Sequence, residues 1–207
     1  KLTTAQVASL TTAQVSSIET ANINALTTEQ ASKLTVDQLS AITTAQVKGI
    51  STQDLVALSS TQLQALTNVS GLSTAQVAAL TTDQAGKLTE TQIASFGTAQ
   101  IAAIETDDLK KLTAAQMGAI TSAGVKALTT DQVVVLSSTQ LQAISTTNIQ
   151  ALTTAQVVAL TTEQVSKLTP DQVGALKATQ VAAIETDDLV KLTAAQVEQM
   201  GTTAIKA

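Results

Sequence analysis

One feature restricts the fold of this chain more than any other, an eight-residue repeat that begins at Leu2 and continues to the last residue. Residues 2–9 read LTTAQVAS, residues 26–33 read LTTEQASK and residues 160–167 read LTTEQVSK. Together, 25 octads, a six-residue repeat at residues 66–71 and Lys1 account for all 207 residues. We therefore predict that residues 1–207 form a single repeat array, and we expect it to be a segment of a longer protein.

Three positions of the octad are nearly invariant in character. Position 1 is Leu, Ile, Met or Phe96, and position 6 is Val, Ile, Leu, Met or an alanine, at Ala31 and Ala85; we predict that these two positions form the core. Position 5 is Gln in 18 octads and is otherwise Asn22, Asp54, Asp108, Gly124, Asn148, Asp188 or Ala204. Two roles are open to this glutamine, a local capping bond or a buried ladder between stacked turns. Local capping is the favoured interpretation.

The spacing excludes one long helix and a simple strand. A continuous α-helix advances about 100° per residue, so an octad would drift by roughly 80° and spread the apolar positions around the cylinder. Apolar spacings of five and three residues also break the alternation of a strand. A helix that restarts in every octad fits, because positions 2 to 5 read T-x-x-Q, which is a capping box.

Special residues support this restart. Pro170 stands at the predicted first helical position, and Gly97 and Gly201 replace threonine at the predicted N-cap. In three repeats position 2 is Glu, and there we expect the cap to pass to the following threonine, at Thr20, Thr106 and Thr186. Such short helices are unstable alone, so the sequence predicts an all-α solenoid in which they stack.

A longer rhythm predicts how the solenoid winds. Counting the hexad as the ninth repeat, acidic residues recur in repeats 4, 7, 11, 14, 17, 21 and 24. We infer roughly 3.3 repeats per superhelical turn, which gathers the charges into one longitudinal stripe. Ancestral duplication of ten repeats is an alternative origin of the rhythm. We call these acidic residues, together with the lysines at position 8, the charged stripe. The lysines are Lys33, Lys87, Lys111, Lys167 and Lys191.

The composition argues against catalysis. The chain has no His and no Cys, and its Ser and Thr hydroxyls lack an activating base, so we predict no enzyme and no catalytic, cofactor-binding or metal-binding residues. Two acidic clusters could in principle hold calcium, but solvated helix starts are the favoured interpretation. These clusters are Glu105, Asp107 and Asp108, and Glu185, Asp187 and Asp188.

Charge and hydropathy restrict the partners. The net charge is −5 and the sequence contains no arginine, which argues against nucleic-acid binding. No apolar run is long enough for a membrane span, so no membrane insertion is expected. The exposed hydroxyls raise ice binding and O-glycosylation as alternatives, although capping of their own helices explains them more simply.

The L-T-T-A-Q-V octads resemble short tandem repeats of very large bacterial surface or secreted proteins, adhesin-like or linked to toxin exporters. That resemblance covers the whole chain and implies an extracellular or cell-surface location. It implies a structural spacer or stalk, a monomer whose partners are flanking domains of the same chain. The alternative is a solenoid that uses its charged stripe to bind a protein or glycan in adhesion.

Overall fold

The protein is all-α, as the octad pattern predicts. The computed structural model describes residues 2–201 and 205–206, and these contain 24 helices of four to six residues, one single-turn 3₁₀ helix and no strand. In the N-terminal half the helices are α1 Thr4–Ala8, α2 Thr12–Ser16, α3 Thr20–Asn24, α4 Thr28–Ser32, α5 Val36–Ser40, α6 Thr44–Gly49, α7 Thr52–Ala57, α8 Ser60–Ala65, the 3₁₀ helix Val69–Gly71, α9 Thr74–Ala78, α10 Thr82–Lys87 and α11 Glu90–Ser95. In the C-terminal half they are α12 Thr98–Ala102, α13 Thr106–Leu109, α14 Ala114–Gly118, α15 Ser122–Ala127, α16 Thr130–Val134, α17 Ser138–Ala143, α18 Thr146–Ile149, α19 Thr154–Val158, α20 Thr162–Lys167, α21 Pro170–Ala175, α22 Ala178–Val181, α23 Thr186–Leu189 and α24 Ala194–Gln199.

Where the T-x-x-Q capping box is present, the helix begins where the box predicts, as α20 shows. Thr161 precedes α20 in an extended conformation, with φ −74° and ψ 155°, and its hydroxyl oxygen accepts a hydrogen bond from the Gln164 backbone N–H at 3.2 Å. Leu168, which follows the helix, returns to an extended conformation at ψ 144°. In the octads whose positions 1 to 3 are described, the backbone therefore breaks at positions 1 and 2 and restarts at position 3.

The special N-caps agree with prediction in part. α21 begins at Pro170, and Gly97 is the N-cap of α12, as expected. The predicted cap at Gly201 would open a helix over residues 202–204, and these, with the position-5 exception Ala204, lie outside the described residues.

The predicted transfer of the cap to the next threonine is wrong. In those three repeats the N-cap is the glutamate itself, at Glu19, Glu105 and Glu185, and no side chain caps the helix. Thr20, Thr106 and Thr186 are instead the first helical residues. The longer glutamate side chain points into solvent, so the position of the break is set by the repeat and not by the best available cap.

The six-residue repeat at 66–71 forms the 3₁₀ helix. Leu66 and Val69 are fully buried and occupy the places of positions 1 and 6. A 3₁₀ turn advances in fewer residues than an α-helical turn, so a repeat that is two residues shorter still delivers both apolar side chains to the core.

The described helices group into two compact units, one ending at Phe96 and the other beginning at Gly97. Within each unit a helix packs on the helix three repeats further along. In the first unit the pairs are α1 with α4, α2 with α5, α3 with α6, α4 with α7, α5 with α8, α6 with the 3₁₀ helix, α7 with α9, α8 with α10, and the 3₁₀ helix with α11. In the second unit the ten pairs run in the same way from α12 with α15 to α21 with α24.

This packing defines a solenoid. Because helices three repeats apart lie in successive turns, one superhelical turn takes about three repeats, close to the roughly 3.3 predicted from the charge rhythm. Two repeats per turn are excluded. Helices that carry the charged stripe and lie three repeats apart pack directly, namely α4 on α7, α13 on α16 and α20 on α23.

The core of each unit consists of the two predicted positions. Val165 at position 6 is 1% exposed, and Leu168 at the following position 1 is 4% exposed. The pattern holds at Phe96 and at the two position-6 alanines, Ala31 and Ala85, all of them buried. One helix of five residues contributes a single buried apolar pair, so burial is completed only by the turns on either side.

Glycines mark places where successive turns approach closely. No described residue has a positive φ, so these glycines are not required for backbone conformation. At Gly49, the last residue of α6, an added Cβ would lie 2.8 Å from the backbone oxygen of Thr20 and 2.6 Å from its Cγ2. The close packing of α3 on α6 therefore depends on the missing side chain.

We predict that Gly49→Ala destabilises the protein by about 1–3 kcal/mol, because the added methyl group forces α3 and α6 apart. Helix propensity alone predicts the opposite, a gain of about 1 kcal/mol for alanine within a helix. The measurement is chemical unfolding followed by circular dichroism.

The matched control is Gly97→Ser, where the nearest atom to the new Cβ is Gln100 Oε1 at 3.8 Å. This change restores the consensus N-cap and should leave stability equal or slightly higher. A Gly49→Ala variant as stable as the parent would contradict the close approach.

Candidate functional site

The most constrained polar group of the array is the glutamine at position 5. In most repeats its side chain is buried, as at Gln38 and Gln164, which are 2% and 4% exposed. A buried amide must be hydrogen-bonded, since an unsatisfied polar group costs about 1–3 kcal/mol. The partners of these amides therefore determine how the turns are joined.

One end of the amide makes the predicted capping box. Gln164 Oε1 accepts a hydrogen bond from the Thr161 backbone N–H at 2.8 Å, while the Thr161 hydroxyl accepts from the Gln164 N–H. Two of the N–H groups that a helix start leaves without a partner are satisfied in this way. Local capping by glutamine is thus confirmed.

The other end of the amide reaches the preceding superhelical turn. Gln164 Nε2 donates to the backbone carbonyls of Val133 at 2.9 Å and Leu136 at 2.7 Å. These residues precede it by 31 and 28 positions, at position 6 of one repeat and position 1 of the next. The Val133 carbonyl also accepts from the Leu136 backbone N–H at 3.2 Å, and the Leu136 carbonyl lies at the helix break, where helical partners end.

We name this arrangement the glutamine bridge: Oε1 on the N-cap of its own helix and Nε2 on two carbonyls of the preceding turn. The two roles predicted as alternatives, local capping and a ladder between stacked turns, occur together. This is possible because the amide carries an acceptor oxygen and two N–H donors. Bridges are formed by Gln38, Gln46, Gln62, Gln76, Gln84 and Gln92 in the first unit and by Gln132, Gln140, Gln156, Gln164, Gln172, Gln180 and Gln196 in the second.

An asparagine in place of the glutamine donates to one of the two carbonyls that a glutamine reaches. Asn148 Nδ2 donates to the Ile120 carbonyl at 2.9 Å, and Asn68 of the hexad donates to the Ile42 carbonyl at 2.8 Å. Both acceptors are position-1 carbonyls. A side chain one methylene shorter therefore still reaches the nearer of the two acceptors.

Aspartate at position 5 is buried like the glutamine, but its side chain has no N–H group to donate. Asp54 and Asp188 are each 4% exposed. The Ser51 hydroxyl donates to Asp54 Oδ2 at 2.7 Å, within the same helix start. An ionised carboxylate has no hydrogen to donate to the preceding turn.

The acidic cluster weighed as a calcium site does not converge. Asp107 is exposed and pairs with Lys110 at 2.8 Å, whereas Asp108, the next residue, is buried. The hydrogen bond and the charge of Lys110 lower the pKa of the Asp107 carboxyl below its usual value. Within the described residues no three or more His, Cys, Asp or Glu side chains are grouped so as to hold a metal ion.

Most of the charged stripe is exposed, whereas its carboxylates at position 5, Asp54, Asp108 and Asp188, are buried. Its five lysines are all exposed. Side chains three repeats apart meet there, since the Ser60 hydroxyl donates to Asp83 Oδ2 at 3.0 Å and Gln64 Nε2 donates to the Lys87 carbonyl at 2.6 Å. Polar contacts on the surface thus follow the same inter-turn spacing as the buried bridges.

Comparison with known proteins matches part of the repeat array. A family model described as the ALTTAQ repeat matches residues 101–138 and 134–170, which confirms a tandem-repeat region over about a third of the chain. The six letters ALTTAQ stand at residues 151–156, the last position of one octad and the first five of the next. No curated protein matches the chain. None of the helices in the described residues is long and apolar enough to span a membrane.

We predict that Gln164→Ala destabilises the second unit by about 2–5 kcal/mol. The substitution removes the side-chain partner of the Leu136 carbonyl and of the Thr161 N–H, and an unsatisfied buried group costs about 1–3 kcal/mol. The Val133 carbonyl loses one of its two hydrogen bonds and keeps the one from the Leu136 N–H. Urea unfolding and amide hydrogen exchange over residues 133–165 would measure the loss.

Thr161→Ala is the matched control, because it removes the capping hydroxyl of the same box and leaves the glutamine bridge intact. Its expected cost is about 1 kcal/mol, the usual value for an N-cap. Equal effects of the two substitutions would mean that the inter-turn bonds add nothing to stability.

Proposed function

We propose that this chain is a non-catalytic structural spacer or stalk of a large bacterial surface or secreted protein, acting outside the cell. Its partners are the flanking domains of the same chain, which the array holds apart. The observation that carries this proposal is the glutamine bridge, which joins successive turns by the same bonds in both compact units. Each added repeat continues the same contacts, so the length of the array is set by the number of repeats.

The use of the polar side chains supports a structural role. Threonine hydroxyls and glutamine amides, the commonest polar groups of the octad, are engaged in capping and in bridges within the array. The resemblance of the octads to repeats of bacterial surface proteins supports the extracellular location. The family match itself concerns the repeat and carries no information on location.

The charged stripe favours a second candidate, a solenoid that binds a protein or glycan. Its lysines at position 8 are exposed. In the described residues its Asp107 forms an ion pair with Lys110, at 2.8 Å. Exposed charges in a regular line suit an extended partner of complementary charge. Against this candidate stands the absence of Arg, Trp and Tyr, the residues that most often dominate binding energy.

Deletion of residues 58–135 tests the spacer proposal. This block contains ten repeats, and residues 136–143 repeat the sequence LSSTQLQA of residues 58–65, so the junction keeps its native neighbours. Ten repeats correspond to about three turns, and at about 8–10 Å per turn the maximum dimension in small-angle scattering should fall by about 25–30 Å. An unchanged maximum dimension would contradict a spacer.

Two further variants separate the candidates. Deletion of the five octads at residues 104–143 should shorten the particle by half as much. Replacement of Lys33, Lys87, Lys111, Lys167 and Lys191 by Gln should leave its length unchanged. Specific binding of the intact chain to a glycan or protein panel, lost in the lysine variant, would favour the binding module instead.

A further inference from the structure

The two octads that read LSSTQLQA have a second glutamine, at position 7, which is Gln64 in one and Gln142 in the other. Gln64 Nε2 donates to the Lys87 carbonyl at 2.6 Å. Gln142 Nε2 donates to the Lys167 carbonyl at 2.7 Å. Each bond joins a helix to the helix three repeats further along, α8 to α10 and α17 to α20, and these helices pack on each other. The same surface bond is therefore formed twice, once in each compact unit.

The acceptors of these bonds are carbonyls at position 8. Lys87 and Lys167 are the last residues of α10 and α20, and the carbonyls in the last turn of an α-helix have no helical partner. A glycine at position 7 shows the same geometry elsewhere in the second unit. A Cβ added to Gly118 would lie 3.0 Å from the carbonyl oxygen of Ala143, which stands at position 8 three repeats further along. Position 7 of one turn thus faces a position-8 carbonyl of the next turn.

A third glutamine at position 7, Gln150, shows what else the bond requires. In the described part of the chain the exposed Gln150 side chain donates to no carbonyl. Its helix, α18, ends one residue earlier, at Ile149, whereas α8 and α17 continue through position 8. Gln64 and Gln142 therefore lie within a helix, which restricts the direction of their side chains. The bond depends on both the glutamine and the length of its helix.

The surface bond and the buried glutamine bridge run in opposite directions. In the core α17 is the acceptor, since Gln172 Nε2 donates to the Leu141 carbonyl at 2.8 Å. On the surface α17 is the donor, through the bond from Gln142 to Lys167. Helix α8 is joined to the following turn in the same two ways. The following turn is thus held by a buried bond and an exposed one, and both must break before it separates.

We propose that the two LSSTQLQA octads are locks, which resist the opening of the solenoid when its ends are pulled apart. Each lock is the bond from a position-7 glutamine to a position-8 carbonyl of the next turn. The inference rests on the proposed spacer function, because a stalk that joins flanking domains carries tension along its length. Each repeat of a solenoid contacts only its neighbours, so opening proceeds from turn to turn. It should therefore pause where the next turn is held by the additional bond.

The test holds single molecules of the 207-residue chain at constant force in magnetic tweezers and records their extension. The parent chain should open in steps and pause at two extensions, one for each lock. Gln142→Met keeps the length of the side chain and removes its N–H donor. It should shorten one pause by about two- to fivefold, the factor that one net hydrogen bond contributes. Gln64→Met should shorten the other pause by a similar factor.

Gln150→Met is the matched control, because it removes an exposed position-7 amide that makes no bond to the next turn, and both pauses should remain. Pauses of equal length in the parent chain and in the Gln64 and Gln142 variants would overturn the proposal, and so would an equal effect of Gln150→Met. Alanine at the same positions removes the same donors and replaces any methionine variant that does not fold. A chain that shortens on deletion of repeats but opens without pauses would lack the locks and still be a spacer.

Discussion

The backbone polar groups at the helix breaks are the constraint on which this fold depends. An α-helix leaves four N–H groups at its start and four carbonyls at its end without partners, and helices of four to six residues consist of little else. One glutamine per octad supplies hydrogen-bond partners for many of these groups. Its oxygen accepts from the N-cap of its own helix, and its nitrogen donates to two carbonyls of the preceding turn, as at Gln164. The close spacing of the turns and the burial of the leucines and valines follow from that arrangement.

The hexad shows that the bridge fixes positions in space and not a count of residues. Gln92 lies beyond the hexad and donates to carbonyls 29 and 26 residues back, while Gln164 reaches carbonyls 31 and 28 residues back. In both cases the acceptors are the carbonyls of positions 6 and 1. A deletion of two residues is absorbed because the 3₁₀ turn Val69–Gly71 shortens the chain without moving its buried side chains. Insertions or deletions that preserve these carbonyls are therefore compatible with the solenoid.

The same use of polar groups bears on function. The repeated hydroxyls and amides are engaged within the array, and the acidic clusters divide between the surface and the interior, with Asp107 exposed and Asp108 buried. The exposed part of the charged stripe lies at positions 2, 4 and 8, where the side chains vary from repeat to repeat. A scaffold whose interior is uniform and whose exterior varies suits a spacer. The charged stripe is the surface at which a partner would bind.

The sequence by itself determined the repeat boundaries, the two core positions, the helix starts and the number of repeats per turn. These follow from spacings of eight residues or fewer and from a charge rhythm, because a capping box joins residues three apart and both of its members are visible in T-x-x-Q. The tertiary structure alone decided that Gln164 bonds carbonyls 28 and 31 residues away, that Gly49 must lack a side chain and that Glu19, Glu105 and Glu185 keep the N-cap position. Those features depend on the distance and angle between successive turns. Side-chain packing across the whole turn sets both quantities, and the spacing of residues within one octad does not.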